Sequence, residues 1–408
     1  MSELVPRYAA KLLARALEVS PVVVVMGARQ TGKSTLVQSE PALAEHRYLT
    51  LDDPDVQEQA RQAPDELIRS ALRLTLDEIQ RDPDLLVGVK RAVDNDRPRR
   101  SGRFVLTGSA NLLMMRRVSE SLAGRATYVN LWPLTRRERL GRGGPGIWPA
   151  LLSTPVSEWP GVVESEDDGH ADWRQAVREG GYPTPALTLD DPGARALWFD
   201  GYVRTYLERD LQMLSAVGDL VDFRRLMRAA SHRLGGLVNQ AEIARDTRIP
   251  RATVQRYLNL LETSYQTFRL PAYALNRTKR LVKSPKLYWS DPALALWLGG
   301  VDEPTGAHLE NLVLADLLVW RDGQVPSPGV FYWRTTTDRE VDFVIECGER
   351  VLAVEVRATA ARYADTTGLR LFREEYRERF AGGLLLHGGT EMQWMADGVL
   401  AVPWWRVL

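Results

Sequence analysis

Two groups of residues have types and spacing suited to phosphate chemistry. In the first, PVVVVMGARQTGKSTLVQ sets Gly27, Ala28, Arg29, Gln30, Thr31, Gly32, Lys33 and Ser34 directly after a buried-strand pattern. This is the P-loop spacing in the strand-to-helix context that it requires. Glycines let the backbone wrap a phosphate, and the N–H groups of the following helix start, through Thr35, point at it. Lys33 is then expected at the β- and γ-phosphates of ATP, with Ser34 on Mg2+. The second group lies in REVDFVIECGERVLAVEVRAT, residues 339–359, where Asp342 sits in one apolar run, Glu355 in the next, and Arg357 two residues later. Glu355 and Arg357 alternate with valines and so share one strand face. The two acids form a possible second Mg2+ site, where a bound metal would activate water against a phosphodiester.

Further residues support the first group. LRLTLDEIQ places Asp77 and Glu78 at the end of a strand-like run. An acid there holds Mg2+ and a following Glu orients the attacking water. The next run, FVLTGSAN, ends in Thr107, Ser109 and Asn111, any of which could sense a γ-phosphate or simply cap a strand end. In SESLAGRATYV, Arg125 follows a helical pattern and a glycine. Its guanidinium could stabilise transition-state charge at a neighbouring subunit's phosphate, or make a surface ion pair.

The elements that must position these residues fall into four stretches. Residues 1–140 alternate the strand-like runs PVVVVM, HRYLTLD, LRLTLDE and GRFVLTG with helical patterns, an α/β signature. Residues 141–170 are rich in Gly and Pro and read as a linker. Residues 171–300 show helical periodicity, and residues 301–408 a helix, several strands and another helix. With 408 residues, 44% hydrophobic and 26% charged, the chain is long enough for several real cores. No apolar run approaches the roughly 18 residues of a membrane span. The N-terminus lacks the apolar centre of a secretory signal, and the single cysteine, Cys347, precludes an internal disulfide. A cytoplasmic protein is expected. The five histidines show no zinc-ligand spacing.

Formal net charge is zero, yet residues 223–288 carry 14 Lys and Arg against 3 Asp and Glu, or +11. Within this block LVNQAEIARDTRIPRATVQRYLNLLE reads as helix, turn, helix. Asn239 would cap the first helix; Val254, Tyr257, Leu258 and Leu261 would form the buried face of the second. Arg251, Gln255 and Arg256 lie opposite, the disposition of an exposed recognition helix. TFRLPAYALNRTKRLVKSPKLYW then reads as a hairpin wing bearing Arg277, Lys279, Arg280, Lys283 and Lys286, suited to DNA phosphates. The alternative is a winged helix that packs on an acidic neighbour or a protein partner.

GARQTGKST, LDDP (51–54), DEIQ, TGSAN and SLAGR together resemble a widespread bacterial and archaeal group of AAA-type ATPases. In that group a C-terminal domain of unknown function follows the ATPase module; GGYP (180–183) and YVRTYLERDL (202–211) resemble its beginning. The resemblance covers nearly the whole chain. It implies an AAA fold, ATP and Mg2+ as ligands, a homo-oligomer of ring-like form, and Arg125 as a trans-acting finger. Asp52 and Asp53 match a family motif without an evident physical role. Residues 301–408 resemble the PD-(D/E)xK nuclease fold, which implies the set Glu310, Asp342 and Glu355. Arg357 stands where that fold often has Lys, and a planar guanidinium that keeps its proton is a poor substitute for an ammonium. An ATPase coupled to a DNA-handling C-terminal half is the expectation. An ATP-gated adaptor with an inactive nuclease fold, and an ATP-dependent nuclease, are the alternatives.

Overall fold

The structure, a computed structural model, describes residues 4–109, 122–165, 169–205, 219–276, 278, 280 and 283–408. VVVVMG forms β1 (Val22–Gly27), buried along its whole length. With β2 (Arg47–Thr50), β3 (Leu74–Asp77), β4 (Phe104–Ser109) and β5 (Ala126–Asn130) it builds a parallel sheet in the order β2-β3-β4-β1-β5. Val22, Val24 and Met26 join Leu74, Leu76 and Phe104 on one face. Val23 and Val25 join Leu13, Val105 and Val129 on the other. Helices α1 (Ala9–Val19) and α2 (Lys33–Ser39) cover the second face; α3 (Pro54–Gln62), α4 (Pro64–Arg69) and α5 (Leu85–Asn95) cover the first. A parallel sheet buried on both faces needs strands apolar throughout, which is why β1 shows no alternation. This is the α/β architecture expected of a P-loop ATPase.

The stretch expected as a linker is not an open tether. It forms α6 (Trp148–Ser153) and α7 (Trp159–Glu164), each with proline in its first turn. Trp148 and Trp159 are fully buried, and burial of two indoles outweighs a composition that otherwise favours loops. Their core continues through α8 (Trp173–Glu179), α9 (Pro192–Tyr202), α10 (Leu220–Ser231), α11 (Gln240–Thr247), α12 (Arg251–Thr263), α13 (Pro292–Gly299) and α14 (Gly306–Asp322).

Asn239 caps α11 by accepting N–H bonds from Ala241 and Glu242. Val254, Tyr257, Leu258 and Leu261 are buried, and Arg251, Gln255 and Arg256 are exposed, as their spacing requires. Strands β6 (Thr267–Leu270) and β7 (Lys286–Trp289) pair antiparallel. Described residues of the segment between them meet the adjoining sheet. Ala272 bridges to Tyr332, and the Arg280 guanidinium donates to Glu346 at 2.6 and 3.0 Å. Tyr273 and Arg280 thus find partners on the adjoining sheet, in Phe331 and Glu346. Lys283 remains exposed; Arg277 and Lys279 lie outside the described residues.

That adjoining sheet contains β8 (Gly329–Arg334), β9 (Glu340–Cys347), β10 (Arg350–Arg357), β11 (Phe380–His387), β12 (Gln393–Ala396) and β13 (Val399–Pro403), in the order β12-β13-β11-β10-β9-β8. Parallel pairing of β10 with β11 demands a crossover, supplied by α15 (Thr367–Glu375), which packs Leu369 and Phe372 on the outer face.

At the end of α14, Asp322 accepts bonds from Asn130 Nδ2 (3.0 Å) and Trp132 Nε1 (2.7 Å), joining the first sheet to the C-terminal core. Asp322→Ala leaves the indole N–H without its acceptor and is expected to lower stability by about 1–3 kcal/mol. The denaturation midpoint of the full chain measures it, with Asp322→Asn losing less.

Candidate functional site

The loop after β1 is shaped by what its neighbours exclude. A Cβ on Gly27 would stand 2.2 Å from the Leu131 carbonyl oxygen, so no larger residue fits. Gln30 and Gly32 take left-handed backbone angles, φ 66° and 91°. Three bonds hold the curl: Thr31 Oγ1 donates to the Ala28 carbonyl (2.9 Å), Arg7 Nη1 to the Thr31 carbonyl (2.8 Å), and the Tyr202 hydroxyl to the Arg29 carbonyl (3.4 Å). Lys33 is buried and folds back over the loop, its Nζ donating to Ala28 (2.7 Å) and Gly27 (3.2 Å) carbonyls. Burial lowers its pKa to about 8, opposed by Glu78 and Asp77. Ser34 is half-buried and Arg29, Gln30 and Thr35 are exposed.

Asp77 ends β3 as a buried carboxylate. Its Oδ2 accepts the Tyr48 hydroxyl at 2.7 Å and its Oδ1 the Thr107 hydroxyl. Glu78 adopts a left-handed turn (φ 57°); its N–H donates to Thr107 Oγ1 at 3.3 Å, and the Gln80 amide donates to its carboxylate. Of the three strand-tip residues, Thr107 is therefore occupied in orienting the acid pair. Ser109 ends β4 beside Gly27 in the backbone register, and Asn111 lies outside the described residues. The neighbouring aspartates shape this corner: Asp53 caps α3 by accepting the Asp55 N–H (2.9 Å), and Asp52 pairs with Arg81.

Arg125 sits at the start of β5, where its carbonyl accepts the Val22 N–H (3.2 Å) at the opening of β1. The P-loop lies at the far end of β1, so this guanidinium is at the opposite edge of the sheet. It pairs bidentately with Asp94 of α5 at 2.6 and 2.9 Å.

Beside the P-loop is a cleft of ≈ 540 Å³ lined by Leu4, Pro6, Gly32, Thr35, Pro183 and Leu187, among others. Pro183 reaches it from GGYP, which is docked backbone to backbone. Leu134 N–H donates to the Gly181 carbonyl (2.7 Å), and a Cβ on Gly181 would lie 2.2 Å from the Leu134 oxygen.

In the C-terminal sheet, Glu310, Asp342, Glu355 and Arg357 come together as expected, with an addition. Lys286 of β7 enters from outside the predicted set. Its Nζ lies 2.9 Å from Glu340 Oε1, 3.1 Å from Glu310 Oε1 and 3.3 Å from Asp342 Oδ1. Burial opposes its charge, but Asp342, Glu310 and Glu340 together hold it well above the usual lysine range. Arg357 Nη2 is 2.5 Å from Glu355 Oε1, and its Nε is 3.4 Å from Asp365 Oδ1. Burial and the neighbouring Asp342 push Glu310 up to about 7 and raise Glu355 well above the carboxylate range. The sequence signal for Lys286 was a lone cation opening the apolar run KLYW, with Tyr288 on the same strand face.

Comparison with known proteins agrees with this architecture. Residues 19–140 match the family model of an AAA domain, and residues 170–305 and 305–407 match two domains of unknown function, DUF8612 and DUF4143. An uncharacterized protein of Mycobacterium tuberculosis is 31% identical over 407 residues, covering 97% of this chain and 83% of that protein. One from Haemophilus influenzae is 22% identical, covering 93% and 92%. A solved Walker-type ATPase of Pyrococcus abyssi covers 72% of this chain and 99% of its own at 17% identity and a TM-score of 0.44. The chain belongs to the family of AAA-type P-loop ATPases that carry a C-terminal domain of unknown function. Membership of an ATPase family implies nucleotide binding. Among the described residues no helix is long and apolar enough to cross a membrane.

Because burial depresses the pKa of Lys33 to about 8 from 10.5, the unfolded chain binds more protons between those values and stability must rise with pH there. Without nucleotide, wild type should gain on Lys33→Met by on the order of 3 kcal/mol across that interval. Paired denaturation curves near neutral pH and near pH 10 give the difference.

Proposed function

We propose that this ATPase binds Mg-ATP through the loop from Gly27 to Thr35 and hydrolyses it with Glu78 orienting the attacking water. One observation carries the reading: a buried lysine folded over a loop whose Gly27 leaves no room for a Cβ, with a buried aspartate and a glutamate in a left-handed turn at the tip of β3. The residues fit the ligand. Lys33 can exchange loop carbonyls for β- and γ-phosphate oxygens, and the neighbouring cleft has room for a nucleoside against Pro6 and Pro183. Mg2+, held by Ser34 and Asp77, would neutralise charge on the phosphates. Tyr48 and Thr107 orient Asp77 for that task. Arg125, now paired with Asp94 at the far end of β1 from its own P-loop, is the proposed finger for a neighbour's site in a ring-like homo-oligomer.

For the C-terminal half, we propose a winged-helix surface that meets DNA through Arg251, Gln255 and Arg256 on the exposed face of α12, with Lys283 nearby in the chain. A protein-partner reading is favoured by a separate observation: Arg280 and Lys286 of the basic block are spent on Glu346, Glu310, Glu340 and Asp342. The second Mg2+ proposed for Glu310, Asp342 and Glu355 does not fit the cluster as it stands. An ammonium lies among the carboxylates, and among the described residues no three His, Cys, Asp or Glu are arranged to hold a metal.

Glu78→Gln is expected to retain ATP binding and lose roughly 10²–10⁴-fold in hydrolysis. Arg125→Ala should also be inactive alone, and mixing the two variants should restore part of the rate if the finger acts in trans. Duplex DNA should stimulate wild type at low salt and lose its effect as salt rises. Arg251→Ala/Arg256→Ala should abolish the stimulation. A rate indifferent to DNA under all salt conditions selects the protein-partner reading.

A further inference from the structure

The C-terminal carboxylate cluster supports an inference independent of the ATPase reading. Its members arrive from four elements: Lys286 from β7, Glu310 from α14, Glu340 and Asp342 from β9, and Glu355 from β10. Strand β7 is bolted to α14 by a reciprocal amide pair. Trp289 N–H donates to Asn311 Oδ1 (2.9 Å) and Asn311 Nδ2 donates to the Trp289 carbonyl (2.8 Å). Lys286 and Tyr288, two residues apart, share the strand face that meets Glu310, to which the Tyr288 hydroxyl also donates.

An ammonium has three donors and no acceptor. Lys286 has a separate carboxylate within 2.9–3.3 Å for each of them, and its side chain is 2% exposed. Asp342 uses its other oxygen to accept the Val356 N–H at 2.9 Å. Glu355 behaves differently. One oxygen pairs with Arg357, while Oε2 is buried with no hydrogen-bond partner, and the carboxyl lies in the field of Asp342, Glu310 and Lys286. The cluster thus gathers more buried carboxylate than its neighbours neutralise, and the cation it holds between Glu310 and Asp342 is the protein's own.

We infer that the Lys286 ammonium is the resident cation of this cluster, standing where a divalent ion would have to sit among Glu310, Asp342 and Glu355. The cluster is thereby closed to metal, and instead of hydrolysing phosphodiesters it fastens β7 to the C-terminal sheet. Mg2+ and its congeners need carboxylate oxygens at little more than 2 Å, inside the volume the ammonium fills. Expelling the lysine would leave a buried charge without partners. Arg357 closes the Glu355 side with a cation that does not give up its proton.

The test uses the full chain without nucleotide and Mn2+ as the probe, read by the loss of the free-ion electron paramagnetic resonance signal and by thermal melting. Wild type and Asp342→Asn should bind Mn2+ alike, because wild type has no site there to lose; Glu355→Gln, which keeps an acceptor oxygen for Arg357, is a second control. Lys286→Ala should melt at a lower temperature in chelator, acquire one bound Mn2+, and recover stability with it. Adding Asp342→Asn to that variant should remove the gain. Mn2+ bound by wild type and lost on Asp342→Asn or Glu355→Gln overturns the inference. A folded Lys286→Ala that binds no Mn2+ does so too. If Lys286→Ala does not fold, the comparison of wild type with the two single controls decides.

Discussion

Backbone packed directly on backbone along Leu131–Leu134 is the constraint to which the rest of the molecule conforms. At one end the Leu131 carbonyl presses on Gly27 and its N–H donates to the Met26 carbonyl at 2.6 Å; at the other, Leu134 and Gly181 exchange the same intimacy. No side chain can intervene at either glycine. One short segment therefore sets both the curl of the phosphate loop and the seat of the helical region on the first sheet. Arg7 secures the middle, donating to the Trp132 carbonyl (2.6 Å) and to the Thr31 carbonyl. From the loop a hydrogen-bonded chain runs outward: Arg29 carbonyl to Tyr202, Tyr202 to Gln266 (3.1 Å), and the Gln266 carbonyl to Ser290 N–H (2.8 Å) just after β7. A change in loop shape on phosphate binding would press on that chain at its first member.

Part of the charge in the C-terminal half is settled internally. The +11 block looked in sequence like a surface for a polyanion, but two of its cations face acids outside it: Arg280 meets Glu346, and Lys286 meets Glu310, Glu340 and Asp342. Arg233 and Arg269 pair within the block, with Asp246 and Glu262. The exposed pairs contribute little to stability. The buried ones are costly to break singly, since an ammonium without its carboxylates is far less favourable than an apolar side chain in the same place.

What was legible in the sequence was local. The buried run before GARQTGKS, the Asn239 cap, and the four apolar contacts of α12 each depend on residues within a turn or two, and their periodicity survives folding intact. The acids at 310, 342 and 355 were also legible, because strand alternation forces Glu355 inward with Val354 and Val356 flanking it. What escaped was set by distant partners. Trp148 and Trp159 stood in a Gly/Pro-rich stretch whose composition argued for a loop, and only a core assembled from helices far along the chain gave them somewhere to go. Thr107 and Tyr48 hold Asp77 from two other strands. Asp94, 31 residues before Arg125, had no pattern to announce it. Lys286 read as one more cation of the phosphate-facing wing, but it stands on β7 against Glu310, Glu340 and Asp342.

The family-model boundary at residue 305 passes between Lys286 and every carboxylate that neutralises it. Two stretches catalogued as separate units are thus electrically incomplete alone, one holding a buried ammonium without counter-ions and the other an excess of buried acid. Exchange of either half between distant relatives would strand both charges at once. Across that boundary the two stretches form a single electrostatic unit.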